Sequence, residues 1–121
     1  MSGWGKIMNK ECWKSNVGVN SNIRSHILPK EQMYNIGFTH YLEDGWYFYR
    51  MIDDGISFNI VIADDNSFFG IQVLLEEYFK PLDRIDAVKL LGEERADELN
   101  KRVIWWMRRL ADAGILEGDI E

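Results

Sequence analysis

The chain has 121 residues, 46% hydrophobic and 28% charged, with a net charge of −6 at neutral pH. That length suits a single core, and the composition excludes a disordered or low-complexity chain. Cys12 is the lone cysteine, which excludes an internal disulfide framework and a cysteine-built zinc site.

Met1 to Ser15 is interrupted by Lys6, Lys10, Glu11 and Lys14 and lacks the unbroken apolar core of a signal peptide. No segment approaches the roughly 18 apolar residues that span a bilayer. These features predict a soluble, cytoplasmic protein with no membrane contact. Ser15 to Ser25 is rich in Asn, Ser and Gly and reads as loop. Residues 1–32 are therefore expected to form a loosely structured N-terminal segment, with Trp4, Cys12 and Trp13 packed somewhere. Gly3-x-Gly5 lacks the further glycine and the strand–helix context of a phosphate cradle.

The alternation over Met33–Leu42 predicts a first strand, with Tyr34, Ile36, Phe38, His40 and Leu42 on one face. Glu43-Asp44-Gly45 reads as a turn, followed by a strand over Trp46–Ile52 with aromatic residues on both faces. Asp53-Asp54-Gly55 is a second turn, and Ile56, Phe58, Ile60 and Ile62 line one face of a third strand. Asp64-Asp65-Asn66 is a third turn, and Phe69, Ile71, Val73 and Leu75 are the inward set of a fourth strand, with Gln72 opposite. Pro81 should end the ladder, because it has no N–H to donate.

Asp83, with Asp86 three residues on, is placed to cap a short helix reaching Leu91, and Gly92 separates it from a longer one over Glu93–Ala113. Leu99, Val103, Trp106, Leu110 and Ala113 recur at spacings of three and four and predict its core-facing stripe. Gly114 suits the left-handed residue past a helix end, and Ile115 can fold back on the last turn. The expected fold is a two-layer α+β domain over residues 1–121. A four-stranded antiparallel meander (residues 33–79) is covered by a C-terminal helical segment (residues 83–116).

Stretches such as Tyr47-Phe48-Tyr49-Arg50-Met51-Ile52-Asp53 and Phe58-Asn59-Ile60-Val61-Ile62, followed by Pro81-Leu82-Asp83 and a closing helix, carry a resemblance. Over its last two-thirds the chain resembles small α+β proteins of Gram-positive bacteria and their mobile elements. That group brings no assigned activity and no functional residues; the resemblance implies a bacterial or phage accessory protein.

The charge is uneven. Residues 1–32 hold five Lys/Arg against two Asp/Glu, residues 33–82 two against eight, and residues 83–121 seven against ten. Such a field repels phosphate backbones unless a local basic patch overcomes it. In a meander the first and third turns share one end of the sheet. Glu43 and Asp44 would then face Asp64 and Asp65 across two strand spacings, roughly 10 Å, as an acidic rim for a basic partner. The plainer reading is that tight hairpins simply select Asp.

On the last helix Lys101, Trp105, Arg108 and Arg109 share the side facing away from the sheet, a cationic surround for an aromatic ring. Against this stand helix-dipole placement, the four-residue pairs Asp97–Lys101 and Glu98–Arg102, and coverage of Trp105 by the N-terminal segment.

His40 invites an acid–base reading with Cys12 or a turn carboxylate such as Glu43, although a histidine settled near a strand end is the commoner case. His26 falls in loop and should be exposed. Two isolated histidines make no metal shell, so no metal and no cofactor is expected. The leading expectation is a non-catalytic module that binds a protein partner, or a second copy of itself, through Glu43, Asp44, Asp64, Asp65, Lys101, Trp105, Arg108 and Arg109. The alternatives are nucleic-acid binding through Lys101, Arg102, Trp105, Arg108 and Arg109, which the net charge disfavours, and a small enzyme using His40.

Overall fold

A computed structural model describes residues 23–42 and 44–118. The fold is α+β. Strands β2 (Thr39–Leu42), β3 (Gly45–Asp53), β4 (Ile56–Ala63), β5 (Phe69–Leu75) and β6 (Lys80–Pro81) form an antiparallel sheet in that spatial order. A separate two-stranded ribbon pairs β1 (Arg24–Ser25) with β7 (Leu116–Glu117). The described residues also form three α-helices: α1 (Lys30–Ile36), α2 (Arg84–Leu91) and α3 (Glu93–Asp112).

The nearest-neighbour strand order agrees with the expected meander, but the sheet has five strands rather than four. Pro81 is the last residue of the ladder, as expected, but it sits opposite Leu74 on the additional edge strand β6. A proline is tolerated there because its missing N–H can face away from the sheet. The expected first strand is also half wrong. Its beginning, Met33–Ile36, lies in α1, and only Thr39–Leu42 is strand. Gly37, at φ +121°, ends α1 by donating its N–H to Met33 and Tyr34 carbonyls. Alternation over so few residues is a weak signal: in the helix only Met33 is fully buried, Tyr34 is exposed, and Pro29 ahead of Lys30 supplies the start.

The core lies on one face of the sheet. Trp46, Phe48 and Ile52 of β3, Ile56, Phe58, Ile60 and Ile62 of β4, and Ile71 and Val73 of β5 are buried together with Ala96, Leu99, Val103, Met107 and Leu110 of α3. The pairings Phe48↔Ile60 and Ile60↔Ile71 put these side chains side by side across three strands. The helix spacing 96, 99, 103, 107, 110 is a clean three-and-four stripe. It keeps Leu99, Val103 and Leu110 of the predicted stripe, but Met107 is fully buried where Trp106 was expected, Trp106 is only half-buried, and Ala113 is exposed.

Both predicted helix signals hold. The Asp86 N–H donates to Asp83 Oδ1 at 2.8 Å, capping α2. At the end of α3 the Gly114 N–H bonds to the Ala111 carbonyl and the Ile115 N–H to that of Leu110, with Gly114 at φ +94° and Ile115 fully buried. The expected four-residue pairs are replaced by others. Asp97 meets Arg84 of α2 and Arg102 reaches Asp53, while Lys101 pairs within α3 with Glu98 at 3.4 Å. A short helix-surface pair is worth only a few tenths of a kcal/mol, so nearby partners on other elements outcompete it.

The opposite face of the sheet is buried too, at Ser57, Asn59, Val61, Gln72 and Leu74. β2 pairs with β3 only as far as Tyr47. Beyond that point the outer edge of β3 meets two arginines: Arg50 Nη1 donates to the Tyr49 carbonyl at 2.7 Å, and Arg102 Nη1 donates to that of Ile52.

Candidate functional site

An α-helix turns about 100° per residue, so a stripe that buries Val103 and Met107 must turn Lys101, Trp105 and Arg108 outward. Trp105 is 54% exposed. A groove of about 540 Å³ lies along this side, lined among the described residues by Lys101, Ile104, Trp105, Arg108, Arg109 and Asp112. Three cations against one carboxylate give it a local excess of positive charge on an acidic chain.

The groove is joined to the core by a relay of rings and guanidinium groups. Phe48 meets Trp106 edge-on at 5.5 Å, and Trp106 meets Trp105 edge-on at 4.8 Å. Arg109 lies 5.3 Å from the Trp105 ring and 5.8 Å from that of Trp106. Arg50 covers Phe48 at 4.5 Å and Trp106 at 5.5 Å. These contacts hold Trp105 at the helix surface without burying it. Behind it is a smaller cavity of about 180 Å³, lined by Met51, Ile52, Arg102, Trp105 and Trp106.

Lys101, Trp105, Arg108 and Arg109 are thus brought together. Arg102 is not part of this surface. It turns back to the Ile52 carbonyl and lies 3.7 Å from Asp53, which Arg95 also meets at 3.0 Å. The Arg95 guanidinium holds the Asp53 carboxyl below the usual range. Arg108 has no ion-pair partner among the described residues. Residues 1–22, expected to supply a cover for Trp105, lie outside the described residues, as do Cys12 and Glu43.

The first and third turns meet at their inner residues: the Asp64 N–H donates to the Asp44 carbonyl at 2.8 Å. The reason is the strand order: each turn leads into or out of one of the adjacent strands β3 and β4. The carboxylates are not equally free. Asp64 Oδ1 lies 2.8 Å from His40 Nε2, and Asp65 accepts the Ser67 N–H, which with the Ser67 side chain keeps its carboxyl below the usual range.

His40 also rests edge-on against Trp46 at 4.7 Å, with its side chain 25% exposed. Asp64 is its only hydrogen-bond partner among the described residues. The arrangement fastens β2 to the β4–β5 turn. His26, exposed as expected, lies 2.6 Å from Glu117 across the β1–β7 ribbon rather than in open loop, and it draws the Glu117 carboxyl below its ordinary range. Among the described residues no group of three or more His, Cys, Asp or Glu is placed to hold a metal ion.

One feature escaped the sequence reading. Tyr47 Oη donates to Asn59 Oδ1, and Asn59 Nδ2 donates to Ser57 Oγ at 2.9 Å, within a buried polar patch that has Gln72 opposite Asn59. Burial, with smaller contributions from Glu76 and Tyr49, pushes the Tyr47 phenol up to about 12. The available signal was the register itself, which aligns Tyr49, Asn59 and Gln72 across three strands.

No protein-family model matches the chain, and no curated protein matches it. Among solved structures it is similar to a DUF1831 family protein from Lactobacillus plantarum, a Gram-positive bacterium. The two share 13% identity and a TM-score of 0.60 over 79% of this chain and 84% of that one. At that identity the likeness establishes the α+β fold alone. No helix among the described residues is long and apolar enough to cross a membrane.

Proposed function

We propose that this protein is a non-catalytic binding module whose α3 groove takes an acidic segment of a partner protein, with an apolar or aromatic anchor seated on Trp105. One observation carries the reading: an exposed tryptophan beside Arg109, in a locally positive groove, on a chain of net charge −6. Trp and Arg are the residues in which binding energy concentrates at protein interfaces. Opposite charge steers the partner and orients it. The withdrawal of Arg102 to Asp53 removes a cation from the nucleic-acid alternative.

The test is selection from a displayed random-peptide library on the full chain. Peptides enriched in Asp and Glu around an aromatic residue, bound at least tenfold more weakly by Trp105→Ala and by Arg108→Glu/Arg109→Glu, are the expected outcome. Enrichment without acidic bias, or equal binding by the variants, overturns the reading. Retention of single-stranded DNA or RNA at low salt, lost in the Arg108→Glu/Arg109→Glu variant, would replace it with the nucleic-acid one.

A further inference from the structure

The 3-10 turn at Glu76–Tyr78 ends in Phe79, whose backbone is left-handed at φ +52° and ψ +39°. That conformation is unfavourable for a bulky residue with a Cβ, and glycine or asparagine normally takes it. It turns the loop so that Tyr78 and Phe79 stand 71% and 74% exposed, two adjacent aromatic rings in water. Single exposed apolar residues need no explanation, but an adjacent pair on a strained turn marks a contact surface.

The two residues before them are acidic. Glu76 is tethered by the Tyr49 hydroxyl at 2.6 Å, Glu77 is exposed with no ion pair among the described residues, and Lys80 follows on edge strand β6. Glu-Glu-Tyr-Phe is therefore an acidic, aromatic segment of the chemistry that the α3 groove accepts.

We infer that one occupant of the α3 groove is the Glu76–Phe79 loop of a second copy of this chain, with Tyr78 or Phe79 seated on Trp105 and Glu77 facing Arg108 and Arg109. The inference rests on the proposed use of the groove and names its partner. Loop and groove are different patches of one surface, so the contact is heterologous: each copy offers one loop and one groove. Exposed charges on both sides make the association weaken with salt.

Sedimentation velocity of the full chain, from micromolar to millimolar concentration at low and high salt, tests this. The wild type is expected to self-associate with rising concentration, at least tenfold more weakly at high salt. Tyr78→Ser/Phe79→Ser and Arg108→Glu/Arg109→Glu should each remain monomeric. Mixed together, the two variants should form a 1:1 complex and nothing larger, since the mixture holds one intact loop and one intact groove per pair. Circular dichroism confirms that both variants fold, as exposed substitutions should. A wild type that stays monomeric throughout, a loop variant that associates like the wild type, or variants that ignore each other on mixing would overturn the inference. Selection of acidic aromatic peptides by a strictly monomeric protein would leave the groove reading standing and sink only this step.

Discussion

Gly37 is where the fold and the Trp105 relay depend on one absent carbon. Its φ of +121° lies outside the regions open to residues with a Cβ, and a Cβ built there would fall 2.1 Å from Arg50 Nη2 and 3.3 Å from Phe48 Cε2. Gly37→Ala therefore has two costs. Backbone strain contributes about 2 kcal/mol. Displacing the Arg50 guanidinium from its place over Phe48 and Trp106 contributes about 1 kcal/mol more.

For a chain of 121 residues the unfolding entropy is roughly 0.25 kcal/mol/K, so the total of about 3 kcal/mol lowers Tm by roughly 12 °C. Thermal unfolding followed by circular dichroism measures this directly. A double-mutant cycle with Arg50→Ala separates the two parts. In the Arg50→Ala background the contact with the guanidinium is gone, and Gly37→Ala should cost about 2 kcal/mol, mainly the backbone share, with the 3.3 Å approach to Phe48 remaining. A Tm loss below about 3 °C, or a cost indifferent to Arg50, would refute the reasoning.

Asp83→Ala removes the acceptor for the Asp86 N–H and should cost about 1 kcal/mol, or about 4 °C in Tm, while Asp83→Ser restores most of it; equal losses for the two variants would deny the cap. Tyr47→Phe should cost about 1–3 kcal/mol near neutrality, because buried Asn59 Oδ1 loses its donor. Its pH dependence has a definite sign. Raising the phenol to about 12 in the folded state favours its neutral form, so this contribution is full below the unfolded value and falls as pH climbs through the folded one. Urea midpoints of wild type and Tyr47→Phe should therefore lie closer together at about pH 11 than at about pH 8; a constant gap would show that Tyr47 is not held neutral by the fold.

Much of the architecture could be read from the chain because its signals were local. The acidic turns, the alternation of Ile56, Phe58, Ile60 and Ile62, the Asp83 cap and the Gly114 stop each act through residues a few positions apart. The readings that failed needed information from across the fold. Whether Met33–Ile36 is strand or helix depends on Gly37, whose conformation is tied to Arg50 packed beside it. Whether Met107 or Trp106 faces the sheet depends on the shape of the groove between strands. Ser57, Asn59 and Gln72 look like a wet face until the register shows them buried, Asn59 opposite Gln72 and hydrogen-bonded to Ser57. At the candidate site the outward direction of Trp105 followed from helical angle alone, whereas Arg102 was misassigned because its partner, Asp53, is remote in sequence.

The outer side of β3 beyond Tyr47 bears on how the molecule behaves in a crowded solution. A bare strand margin is a template on which another extended chain can lie down and keep growing. Here the carbonyls of Tyr49 and Ile52 are already held by guanidinium groups, and those groups bring charge to the spot where a newcomer would have to pair. Among the described residues, Arg50 and Arg102 thus act as stoppers along this border of the sheet.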